Sequence, residues 1–233
     1  MAHYIVRSLF EKLGHISIFN AAGILIFVAT AEAQNAITPD DTLGAESSVV
    51  VPFNADTDVI TGGATRGQNL FHSFEEFGIG EGNGAYFITE TEAIANIFAR
   101  VTGSNISDIQ GVLGTRQFTG TGFAPTGADL FLINPNGVVF GEGAALDVGG
   151  SFAATTATDV QFGDAGSFST LDPDAPPSLL TIDPSAYIFN QLPIGDITSR
   201  STRSDLIDGA TEGLRVPDGE TLTLLGGAIA IDG

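Results

Sequence analysis

Two pairs of neighbouring carboxylates are the first residues whose types and spacing could do chemistry: Glu75 with Glu76, and Asp172 with Asp174. Glycoside hydrolysis uses two carboxyl groups about 5–10 Å apart, one of them still protonated at neutral pH. In an acidic chain such pairs arise from composition, and no Lys or Arg cluster accompanies either of them. Ser-His-Asp catalysis needs a histidine. Beyond residue 33 the chain has only His72, in the alternating run Leu70, Phe71, His72, Ser73, Phe74. A strand histidine, packed or turned to solvent, is the expected reading there. One histidine and no cysteine argue against zinc. Asp and Asn in glycine-rich turns can supply oxygen ligands to calcium. The chain holds neither an Asp-x-Asp-x-Asp-Gly loop nor a Gly-Gly-x-Gly-x-Asp repeat, so its acids are expected to be solvated turns. The expectation is a chain that is not an enzyme and carries no cofactor or metal.

The elements that would position such residues follow from composition. The chain has 233 residues, enough for one domain with a core or at most two small ones. Asp and Glu number 28 against 8 Lys and Arg, for a net charge of −20. Such a chain repels phosphate backbones and anionic membrane surfaces, which excludes nucleic acid as an expected partner. Charged residues are only 15 %, glycine occurs 30 times and lysine once, at Lys12. Few long side chains and many turn formers favour short strands over helices. Exported domains without cysteine must be held by packing, and stacked apolar layers provide that.

The first residues read as a targeting signal. Arg7 and Lys12 precede an apolar run at residues 16–30, and Ala31, Glu32 and Ala33 give a small-x-small pattern. The run contains Asn20 and is shorter than the roughly 20 apolar residues of a membrane span. Residues 1–33 are therefore expected to be a signal peptide cleaved after Ala33, so that the mature domain, 34–233, begins at Gln34.

Period-two patterns recur beyond that point, at residues 48–53, 85–89, 128–133, 145–148, 221–225 and 228–231, most of them bounded by Gly, Asn, Asp or Pro. Residues 90–99 are the best candidate for a short helix. Gly137, Phe140, Gly143, Leu146, Val148 and Gly150 are echoed by Gly213, Val216, Gly219, Leu222, Leu224 and Gly226, an offset of 76 residues. A slip of one residue after that point would match Phe152 with Ile229. With coils of roughly 20–25 residues, the echo corresponds to about three turns of a solenoid. Prolines 173, 176 and 177 make residues 172–178 a loop leaving the stack, and polar residues 198–208 read as another. The chain stops just after a strand pattern without a polar cap, which suggests the front part of a longer protein or a truncated product.

The sharpest local pattern is Leu130, Phe131, Leu132, Ile133, Asn134, Pro135, Asn136, Gly137, Val138, Val139, Phe140. It reads as strand, turn, strand. Asn134 can bond its own backbone two residues on, Pro135 presets φ, and Asn136 and Gly137 tolerate unusual backbone. These residues resemble the Asn-Pro-Asn-Gly motif of the haemagglutination-activity domain, the N-terminal secretion domain of filamentous-haemagglutinin-type exoproteins in two-partner secretion. Residues 143–156 resemble the family's continuation. Arg66 to Phe74, Gly84 to Phe87, Arg100 to Gly103 and residues 106–111 resemble its cyanobacterial branch. No convincing second Asn-Pro-Asn motif is present.

The resemblance implies an all-β fold, a right-handed parallel β-helix (solenoid) with an N-terminal cap and extra-helical loops. It implies a cognate outer-membrane β-barrel transporter with periplasmic recognition modules as partner, with Asn134, Pro135, Asn136 and Gly137 as the recognition turn. It places the protein outside the cell or on its surface, where the full-length exoprotein could meet host or cell-surface ligands as an adhesin. Two other readings stay open: an acidic, calcium-stabilised surface binding module, and a carbohydrate-active β-helix enzyme.

Overall fold

Alternating apolar residues and glycine-rich turns wind residues 34–203 and 213–232, the part that the computed structural model describes, into a β-solenoid of about five turns with essentially no helix. Three sheets line its faces. The first runs Ala36–Pro39, Asn69–Gly78, Asn96–Val101, Asp129–Ile133, Phe152–Thr155 and Leu222–Leu225. The second holds Ser48–Pro52, Thr57–Gly62, Gly84–Thr89 and Val112–Phe118, with Ala145–Asp147 and Phe123–Ala124 also paired to Val112–Phe118. The third stacks Ser107–Ile109, Val138–Phe140, Ile197–Ser199 and Ile229–Ile231. Successive coils pair in parallel, whereas Ala36–Pro39 and Ser48–Pro52 run antiparallel to their neighbours at the start of the stack.

Register puts like side chains above one another. Leu70, Ile97, Leu130 and Phe152 form one inward column of the first sheet, and Val138 and Ile197 belong to another in the third. Removing such columns from water stabilises the stack at about 25 cal/mol per Å² of apolar surface. No coil can bury its own inward face, so each depends on the coil beside it.

The outer face of the first sheet is covered as well. Phe71, Phe98 and Phe131 stack with ring centroids 5.1 and 4.6 Å apart. A small antiparallel sheet, Asp159–Gln161 with Ser167–Ser169 and Ala186–Ile188, leaves the solenoid and packs Val160, Phe162 and Phe168 onto this ladder. The Phe162 centroid lies 5.2 Å from that of Phe98, and Phe168 4.8 Å from Phe71. The proline-rich residues 172–178 belong to this excursion and contain no strand, as their composition predicts.

Three expectations are corrected. Residues 90–95 form a turn rather than a helix, and Asn96–Val101 is a strand. All of Asn96–Val101 is buried, because Ile97, Ala99 and Val101 face the core while Phe98 and Arg100 face the excursion. Coverage on both sides erases the polar alternation that marks a half-buried strand. The expected loop at 198–208 begins inside the strand Ile197–Ser199, and its residues 204–208 lie outside the described part. The echo of Gly137 to Gly150 in Gly213 to Gly226 does not mark equivalent positions. Leu222 pairs with Phe152, not above Leu146, and Ile229 lies in the third sheet beside Ile197. The whole excursion sits within that one coil, so the spacing measures an insertion rather than three turns.

Candidate functional site

The turn between Asp129–Ile133 and Val138–Phe140 is built as its residue types require. Asn134 Oδ1 accepts from the amide of Asn136 at 3.0 Å, and the amide of Gly137 donates to the Asn134 carbonyl at 3.1 Å. Gly137 has φ 131°, a region L side chains rarely adopt.

The turn is not displayed. Asn134 is 0 % exposed, Pro135 and Gly137 are buried, and only Asn136 is partly open. The Asn134 amide group donates to the Asn105 carbonyl and the Ser107 hydroxyl, both at 3.0 Å, and Asn136 Nδ2 donates to the Gly103 carbonyl at 2.8 Å. On the other side Asn134 N donates to Thr155 O at 2.9 Å, and Val138 N to Asp196 O at 3.1 Å. Gly195 presses on the turn so closely that an added Cβ would lie 2.4 Å from the Pro135 carbonyl oxygen. Asn134 thus clamps the coil before to the coil after, and Asn136 adds a second bond to the coil before. What remains open beside them is a groove of about 520 Å³ walled by Ile106, Pro135, Asn136, Val139, Pro193 and Ile194.

Of the expected cleavage residues, Ala31 and Ala33 lie outside the described part, and Gln34 is its exposed first residue. His72 is buried in its strand, with Nδ1 3.0 Å from the Ser48 hydroxyl and Phe74 and Phe87 around the ring. Its Nε2 has no hydrogen-bond partner. Burial pulls its pKa down to about 3, which keeps the ring neutral.

Glu75 and Glu76 lie at a β-bulge of one strand, between Phe74 and Phe77, which both face the core, and neither glutamate is buried. Glu76 accepts from Asn105 Nδ2 at 3.0 Å. Asp172 and Asp174 line a pocket of about 430 Å³, which a single base, Arg100, also reaches. Arg100 is 1 % exposed, donates to the carbonyls of Ser169 and Asp174 at 2.8 and 2.9 Å, and lies 4.1 Å from the Phe168 centroid. Burial lowers its pKa to about 10, against the pull of Asp40 and Asp174, so it stays a cation at neutral pH. Its donors are taken up by the fold. Among the described residues no group of three or more His, Asp or Glu side chains could hold a metal ion.

Sequence reasoning passed over Arg100 and its partner Asp40. The available signal was a lone cation in an apolar run, since a charge there must be satisfied inside.

Stacked parallel coils, an asparagine-clamped turn and a covered flank define a β-solenoid domain. The model of the TPS secretion domain matches residues 35–233, and the chain belongs to that family, the secretion domain of two-partner-secretion exoproteins. No curated protein matches the chain. The family is not an enzymatic one, and it implies export toward the cell surface or the extracellular space.

Proposed function

We propose that this chain is the N-terminal secretion signal of a haemagglutinin-like adhesin of cyanobacterial type. A cognate outer-membrane β-barrel transporter recognises it, after a leader at residues 1–33 has been removed. The observation that carries this is the family match, which begins at residue 35 and runs to the last residue. Asn134, Pro135, Asn136 and Gly137 take part as a turn that the transporter reads before the solenoid closes. Their burial supports that order, because a partner reaches them only while residues 103–107 and 195–196 are not yet in place. Each coil laid on this turn buries apolar surface, and that gain favours onward movement of the chain.

The test is secretion with the partner barrel co-expressed, comparing wild type, Asn134→Ala/Asn136→Ala and Leu130→Ala. Leu130→Ala destabilises the core by about 2–5 kcal/mol and leaves the turn residues in place. The double variant is expected to stay in the periplasm while Leu130→Ala still reaches the medium. Equal retention of both would make the motif a folding turn and nothing more. Release of wild type without the barrel would end the secretion-signal reading.

A further inference from the structure

We propose that Ser48–Pro52 is a docking edge onto which an extended, cationic segment of another protein adds as a β-strand. It is the terminal strand of the second sheet and, among the described residues, pairs only with Thr57–Gly62. The amide of Phe53 donates to Thr57 O at 2.8 Å, and that of Gly63 to Ser47 O at 3.4 Å. In an antiparallel ladder the residues between such pairs turn their backbone groups the other way. The amide and carbonyl of Val50 and the carbonyl of Pro52 therefore face the open edge.

The side chains beside that edge are apolar. Val49, Val51 and Phe53 alternate with the inward residues and are exposed, Phe53 by 61 %. The Phe53 ring meets Phe123 edge-on at 5.7 Å, and Phe123 lies 5.9 Å from Phe118, both of them exposed. Folded proteins normally block such an edge with lysine, a bulge or a covering loop. Here lysine is missing from the strand, and Pro52 alone interrupts it. An apolar edge with aromatic neighbours and unused backbone groups has what strand addition needs: a ladder for affinity and a surface for alternate side chains.

Charge selects the occupant. Asp58 stands opposite Pro52 at the end of the strand, and Asp56 lies in the adjoining hairpin. With a net charge of −20, a second copy of this chain would bring like charges together at the edge. A strand alternating valine-like residues with Lys or Arg satisfies both the apolar face and the acids. The edge belongs to the folded chain, so this holds whatever exports the protein.

The exported chain, purified from the medium, is titrated with an alternating Lys-Val octapeptide. Controls are an alternating Glu-Val peptide and the Lys-Val peptide with proline at its centre, which cannot complete a ladder. The Lys-Val peptide is expected to bind and to slow hydrogen exchange of the Val50 amide about tenfold or more, and neither control is. Val51→Ser/Phe53→Ser is expected to melt like wild type and to weaken binding about tenfold. Unchanged exchange at Val50 would overturn the proposal. So would equal binding of the proline peptide, which would reduce the attraction to charge alone. A dimer in light scattering that Val51→Ser/Phe53→Ser dissolves would make a second copy the occupant and overturn it too.

Discussion

Asp40 and Arg100 are joined through two hydroxyl groups rather than by direct contact. Thr42 Oγ1 donates to Asp40 Oδ1 at 2.6 Å and accepts from Arg100 Nη2 at 2.8 Å. Ser73 Oγ donates to Asp40 Oδ2 at 2.7 Å and accepts from Arg100 Nε at 2.9 Å. The bridge ties the segment after the first strand to two coils, and through the Arg100 carbonyl contacts to the excursion. Burial pushes the Asp40 carboxyl up, but bonds from Thr102, Thr42 and Ser73 outweigh it and hold its pKa below the usual value.

The bridge gives the first prediction. Asp40→Asn leaves the buried Arg100 cation with only the pull of Asp174, and about 2–4 kcal/mol of stability is expected to go. In a cycle with Arg100→Met, chemical denaturation should show a coupling of about 1 kcal/mol or more between groups that do not touch. Simple additivity would mean that the relay carries no energy.

Acid sensitivity is the second. His72 has a folded pKa of about 3 against 6.5 for the free side chain. The unfolded chain therefore takes up its proton first, and the folded state loses stability as pH falls from 6.5 towards 3. The expected slope is about 1.4 kcal/mol per pH unit. Asp40 adds a further loss below its unfolded value of 3.8, because its carboxylate form is favoured in the fold. In His72→Gln the fall between pH 6 and 4 should flatten. An identical slope in both proteins would show that His72 is not its source.

The third concerns the aromatic ladder. Phe98 is stacked between Phe71 and Phe131 under Phe162. Phe98→Ala is expected to cost about 3–5 kcal/mol and to loosen the excursion from the first sheet. Limited proteolysis should then cut faster within residues 172–178. A cutting rate unchanged from wild type would show that the ladder does not hold the excursion down.

The fourth tests the lid over the turn. Gly195→Ala brings a methyl within 2.4 Å of the Pro135 carbonyl and 2.7 Å of the Asn136 carbonyl carbon, both of them backbone. Residues 191–196 must shift away from the turn, and hydrogen exchange of the Val138 amide, which donates to Asp196 O, should quicken. Protection equal to wild type would show that the turn holds without this cover.

Much of the architecture is legible in the residues themselves. Ser48–Pro52 and Asp129–Ile133 alternate visibly, because one side of each meets the core and the other is at least partly open. Asn134, Pro135 and Gly137 specify their turn through bonds that span two or three residues, which a sequence displays directly.

Asn96–Val101 was illegible as a strand because its second face is covered by residues about 60 positions further on. The pairing of Phe152 with Leu222 could not be read from the repeat, since an excursion of arbitrary length fits between two stacked coils. Sequence alone determined that this chain makes short strands, tight turns and a solenoid, because those follow from local alternation and backbone freedom. Only the tertiary structure decided that Asn134 faces inward, that Arg100 answers Asp40 through two hydroxyls and that Ser48–Pro52 keeps an open edge. Each of these depends on which distant segment lies alongside, and that is settled by the stacking of whole coils rather than by any residue's own preference.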